Sequence, residues 1–452
     1  EPVPEEAGAM AHGYEGLREV ERCFAIGDTP ALESARAKLD ELDRWHSSNA
    51  GSSGDDWSEL AASLATARGH LERLHYRVAF ADEAYRSALG HLAQSQLPSV
   101  QIERRTANLQ TYLGLAWLLG RTPEDWRKAA AHFEESIRIR EADPESTREL
   151  LWGLSAAWIN QGDALVRIGD IEPLEESIRC QERGASILAD FDLEANPSIR
   201  TRCALCHLNI GAAHLMLATR YSRGGADEAL AAYDRAIGIL RPGADAGIEE
   251  SKRMLAVALA NCARARLLLS PEAHATTERE ASEALERLGE YDPGDWELLN
   301  LDLTARCTLC LAIGAREDSP ESAEKITDLA EDGMRRLAAY LSLGGYLEPL
   351  DSVAGQLFRN GAAAYARHFP SFLSEYLLDH LDPGRQSSAG LERSSACHEA
   401  AVETLWAALS DLKRDGFTGI GTEAYDRKMA LEIEWNACRE RLAEVRGRHF
   451  MM

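Results

Sequence analysis

A short helical phrase recurs along this chain at intervals of roughly 45–52 residues, and it constrains the fold more than any other feature. Its first half places a glycine or alanine inside an apolar helix, shortly before a polar stop. Its second half reads small-x-x-x-aromatic-x-x-small. The clearest copy joins Asn209-Ile210-Gly211 to Ala229, Tyr233 and Ala236, with Pro242 soon after. One such unit cannot bury its own apolar face, so neighbouring copies must stack on one another.

The second-half triplets are Ala81, Tyr85, Ala88; Ala129, Phe133, Ser136; Ala229, Tyr233, Ala236; and a weaker Thr277, Ala281, Ala284. The first halves centre on Gly114, Gly162, Gly211, Ala263 and Gly314. A glycine inside a helix costs about 1 kcal/mol against alanine, which is tolerable where an adjacent helix packs on the bare backbone. Runs of alternating Val, Ile and Thr are nearly absent, whereas apolar residues recur at three- and four-residue spacing. The expected fold is all-α.

The paired halves resemble the tetratricopeptide repeat (TPR) family, whose pattern is W-x2-L-G-x2-Y in the first helix, A-x3-F/Y-x2-A in the second, and a Pro near the end. The resemblance covers residues 57–345 and implies a right-handed α-solenoid of antiparallel helix pairs. The period departs from the family's, which is about 34 residues. Helices of about 20 residues and longer turns such as ATRYSRGGAD would account for the difference. Residues 1–56 read as an N-terminal helical segment ending in the polar SSNAGSSGDD linker. After Gly345 the phrase fades, so 346–452 reads as a helical cap or a separate module.

A net charge of -25 opposes binding to nucleic acid or anionic membranes, and no basic cluster offsets it. The basic residues are almost all Arg, as in a GC-rich genome. No uninterrupted apolar run long enough for a membrane span is present, and the acidic start lacks a secretory core. Nine cysteines, an odd number in apolar helical context, suggest reduced thiols and a cytoplasmic protein.

The sharpest chemical signal is Cys203-Ala-Leu-Cys206-His207, which has the spacing of a c-type haem attachment site. Cys307-Thr-Leu-Cys310 repeats it at the same place before Gly314, without the histidine, and both follow an Arg (Arg202 and Arg306). Shared repeat ancestry with buried structural thiols explains both pairs better. Cys203, His207 and His214 share a helical face, but zinc would need a fourth ligand. No phosphate loop, HExxH or GxSxG is present. No cofactor, no metal and no catalytic residue is expected.

Asn160, Asn209 and Asn261 each lie two residues before the small packing residue of their copy. By the TPR resemblance this position faces a concave groove, where a carboxamide hydrogen-bonds a bound main chain. Neighbouring groove positions would be Asp163, Arg167, Leu208, Ala212, Met216, Arg264 and Leu268. The alternative is that the Asn residues bond within or between helices. Among the tryptophans, Trp117, Trp158 and Trp406 read as core, and Trp45, Trp57 and Trp126 as partly exposed. The expected function is a non-enzymatic scaffold binding another protein or peptide, with self-association possible. The alternative is a regulatory subunit whose output lies in 346–452.

Overall fold

The computed structural model describes residues 4–343, except 27–28, 50–54, 144, 146, 271 and 318, together with 356, 357 and 360. The expected cap or module at 346–452, Trp406 within it, and most of the Gly/Ser linker lie outside the described residues. Among the described residues there are fourteen helices and no strand. They are α1 (Pro4–Ile26), α2 (Thr29–Asn49), α3 (Asp55–Leu74), α4 (Val78–Gln94), α5 (Ser99–Leu118), α6 (Pro123–Glu141) and α7 (Arg148–Ile168). Then come α8 (Ile171–Leu188), α9 (Pro197–Tyr221), α10 (Ala226–Asp245), α11 (Glu249–Leu269), α12 (His274–Leu288), α13 (Trp296–Arg316) and α14 (Pro320–Ser342).

The chain divides into two compact units, Glu1–Ala232 and Tyr233–Met452. In the first, α3 pairs with α4, α5 with α6, and α7 with α8; in the second, α11 pairs with α12 and α13 with α14. The contacts of α5 and α6 run in opposite sense. Gly120 meets Asp125, Gly114 meets Phe133, and the Ala107 carbonyl accepts a hydrogen bond from Ser136 at 2.9 Å. The pairs are therefore antiparallel hairpins. The first helices also touch their counterparts, α3 with α5, α5 with α7, α7 with α9 and, separately, α11 with α13, whereas the second helices make no comparable contacts among the described residues. Within each unit the first helices thus form the closer-packed row.

Helix ends follow local chemistry. Thr122 and Asp125 form a capping box on α6, with Pro123 at its first position. Gly169 ends α7 in the left-handed conformation (φ 77°), which a side chain would resist.

The small positions exist to admit rings. A Cβ on Gly114 would lie 2.6 Å from the Phe133 ring, and one on Gly69 would strike Tyr85. Tyr85 and Phe133 are fully buried. The pair α7–α8 carries the same phrase in a form the aromatic pattern conceals: Ser177, Gln181 and Gly184 replace Ala, Tyr and Ala. Gln181 is fully buried, donates to the Ile159 carbonyl at 2.9 Å and lies where a Cβ on Gly162 would be. Ser177 donates to the Gly162 carbonyl at 2.8 Å. Gly314 departs from expectation. It is exposed, and a Cβ there would meet only Ile326 of α14, at an ordinary 3.5 Å, with no ring against it.

Trp57 is buried, contrary to the partly exposed reading, in a cluster with Leu39, Leu42 and Leu60. Trp45 and Trp126 are half-buried, and the Trp126 indole donates to the Gly120 carbonyl at 2.9 Å. Trp117 is half-buried too, donating to Asp82 at 2.8 Å beneath the Lys128 ammonium. One helix, α13, is long and apolar enough to cross a membrane, and 61% of that stretch is buried in the fold.

Candidate functional site

Three first helices carry the asparagine series. On α7, Asn160 is followed by Asp163 and Arg167; on α9, Asn209 by Ala212 and Met216; on α11, Asn261 by Arg264 and Leu268. Offsets of three and seven place each trio on one side of its helix. All three Asn side chains are half-buried, and none has a hydrogen-bond partner among the described residues. Their amide groups are not sealed from solvent either, as none is among the buried polar atoms left unpaired. A carboxamide in this state keeps both donor and acceptor available.

The flanking positions differ in character. Arg167 is exposed and donates to Asp163 at 3.2 Å, so its charge is partly engaged within α7. Arg264 is exposed with no carboxylate within ion-pair distance among the described residues, and Leu268 is 54% exposed. Met216 is half-buried and packs on Leu174, Ala213 and Leu217. Leu208 is buried. The asparagines of α7 and α9 lie on helices that touch, within the first unit; Asn261 belongs to the second.

The cysteines are packing residues. The seven that are described form no disulfide, and all but Cys23 are buried. Cys206 is fully buried and donates to the Arg202 carbonyl within its own helix. Burial pushes its thiol, and those of Cys203 and Cys310, above the ordinary range. Thioether formation and metal ligation both need an accessible thiolate. The two preceding arginines have diverged. Arg202 stacks on Trp152 with its guanidinium 4.0 Å from the ring, whereas Arg306 is buried in an ion network.

Another cluster was not visible in the sequence. Asp234, Cys262 and Glu280 bring ligand-type atoms within 4.8 Å of one another. Arg266 reaches all three, donating to Glu280 at 3.0 and 3.1 Å, with Cys262 at 3.5 Å and Asp234 at 3.6 Å. A guanidinium at the centre of the cluster supplies the positive charge a cation would bring. Burial, then Glu280, push the Cys262 thiol up to about 12. The residues come from three helices, so no local spacing announced them.

No protein-family model and no curated protein matches this chain. Among solved structures, the apo form of RapI is 12% identical over 98% of this chain and 97% of its own, with a TM-score of 0.43. The apo quorum sensor NprR from B. thuringiensis is 11% identical over 98% of each chain, with a TM-score of 0.44. A Rap protein complexed with Competence and Sporulation Factor is 13% identical over 98% of this chain and 100% of its own, at 0.35. Similarity this low leaves the fold description to rest on the helix pairing itself.

Proposed function

We propose that this chain is a non-enzymatic protein-interaction scaffold that holds a segment of another protein along its row of first helices. The carrying observation is that Asn160, Asn209 and Asn261 recur at one repeat position, half-buried and without partners among the described residues. A carboxamide can grip an extended main chain through both of its groups without reading side chains. In the first unit Asp163, Arg167 and Met216 flank Asn160 and Asn209; in the second, Arg264 beside Asn261 would receive an acidic group of the partner. The net charge of -25 favours encounter with a partner whose remaining surface is basic.

The test is a photo-crosslinking amino acid placed at Ala212, beside Asn209, and in parallel at the exposed Arg183 on α8. A protein captured from cells of the source organism at Ala212 and not at Arg183 is the expected result. The triple variant Asn160→Ala, Asn209→Ala, Asn261→Ala should weaken that partner's binding at least about tenfold, corresponding to 1.4 kcal/mol or more, with its circular dichroism unchanged. Equal capture at both positions, or a triple variant that binds normally, would refute the reading.

A further inference from the structure

The same face of the first helices changes character in α3 and α5. At the position of the asparagines these helices carry Ala67 and Tyr112, and one residue past the glycine α3 carries His70. Here a cavity of about 320 Å³ opens between α1, α3 and α5, within the first unit. This is within the usual size range of small-molecule sites, about 300–1,000 Å³.

The walls divide by chemistry. Leu17 and Phe24 of α1 and Tyr112 of α5 supply apolar surface. Phe24, His70 and Tyr112 meet edge to face, with His70–Tyr112 centroids 4.5 Å apart at 77° and Phe24–His70 centroids 6.4 Å apart at 87°. The polar groups are of both kinds: Ser63 and Thr66 donate to carbonyls of their own helix at 3.0 and 2.7 Å and so offer acceptor oxygens, whereas His70, Asn108 and Arg105 offer donors. The Tyr85 hydroxyl lies 2.8 Å from His70 Nδ1. With the phenol, the stronger acid of the two, donating to Nδ1, the ring hydrogen of the neutral imidazole sits on Nε2, at its other edge. Asn108 spends its oxygen on Arg140 at 2.7 Å, which leaves its amide hydrogens. Arg105 spends one nitrogen on Glu59, which leaves its others. The carboxylate that lines the cavity, Glu21, is exposed.

An apolar wall beside three donors, one of them a guanidinium, suits an apolar body that carries acceptor oxygens. We propose that this cavity binds a small carboxylic acid, its carboxylate on His70 Nε2, Asn108 and Arg105 and its aliphatic or aromatic body against Leu17, Phe24 and Tyr112. The carboxylate is either that of a free acid or the C-terminus of a peptide ending in an apolar residue. This site does not depend on the partner-binding reading, and either can fail without the other.

The experiment is a calorimetric titration of the full chain with 4-phenylbutyrate, octanoate and the alcohol 4-phenylbutanol, and with a short peptide ending in free Phe and its amide. At least one acid or the free-terminus peptide should bind with a Kd below about 1 mM. The matching alcohol or amide should bind at least about tenfold more weakly. Thr66→Phe, which fills the cavity, should abolish binding; His70→Phe, which keeps the ring and removes the donor, should weaken it about tenfold. A peptide tighter than the free acids assigns the site to a chain terminus, and the reverse assigns it to a free acid. Failure of every carboxylate to bind the wild-type chain, or equal binding to both folded variants, overturns the proposal.

Discussion

A glycine within a helix has opposite worth depending on what stands opposite it. At Gly114 a methyl group would meet the Phe133 ring at 2.6 Å, whereas at Gly90, exposed on α4, it would meet nothing within 4 Å. Gly90→Ala should therefore stabilise by about 0.5–1 kcal/mol through helix propensity. Gly114→Ala gains the same propensity but overpacks the core, and should destabilise by about 1–2 kcal/mol net. Urea unfolding midpoints of the two variants should move in opposite directions. His70 offers a second residue-scale test. Burial, and then the Arg73 charge, lower its pKa from 6.5 to about 4. Below about pH 6.5 the unfolded chain takes up a proton that the folded chain refuses until about pH 4. This group therefore lowers stability as pH falls through that window, by at most about 3 kcal/mol, and adds nothing further below it. His70→Phe should flatten the difference between unfolding free energies measured at pH 7 and pH 4.5.

At the scale of elements, the second helices show what the sequence discloses and what it hides. Ala81-Tyr85-Ala88 and Ala129-Phe133-Ser136 are legible because a large ring between two small residues has one physical use, filling the gap to a bare helix. Ser177-Gln181-Gly184 serves the same place, yet a buried glutamine looks like a surface residue until its bond to the Ile159 carbonyl is seen. The asparagine series was legible by register, although the availability of its amides was not. The cavity was not legible at all, because Phe24, His70 and Tyr112 meet only after three helices pack. Asp302 and Arg306 were hidden in the same way, one turn apart in the largely apolar α13. Arg306 bonds Asp302 at 2.8 Å and Asp332 of α14 at 2.6 Å, and both members of the first pair are buried. Arg306→Met should cost about 3–5 kcal/mol by leaving the Asp302 carboxylate buried without its partner. The double variant Arg306→Met, Asp302→Leu should recover most of that loss, as read by thermal unfolding.

For the whole molecule, charge is the term that no single contact reports. Most of the ion pairs involve at least one well-exposed side chain, and such pairs contribute little each. The uncompensated -25 is instead a self-repulsion spread over the entire chain. Raising NaCl from about 20 to about 300 mM at pH 7 should screen it and raise Tm by a few degrees; a fall would mean that the arginine–carboxylate pairs outweigh the repulsion. The cysteines record stability on a finer scale. The six buried ones among the described residues occur in α8, α9, α11 and α13 of successive hairpins, so an alkylating reagent can reach each only while its own hairpin is breathing. Mass-spectrometric timing of which sulfur is modified first would turn them into a set of natural clocks, each reporting how often its part of the array comes apart.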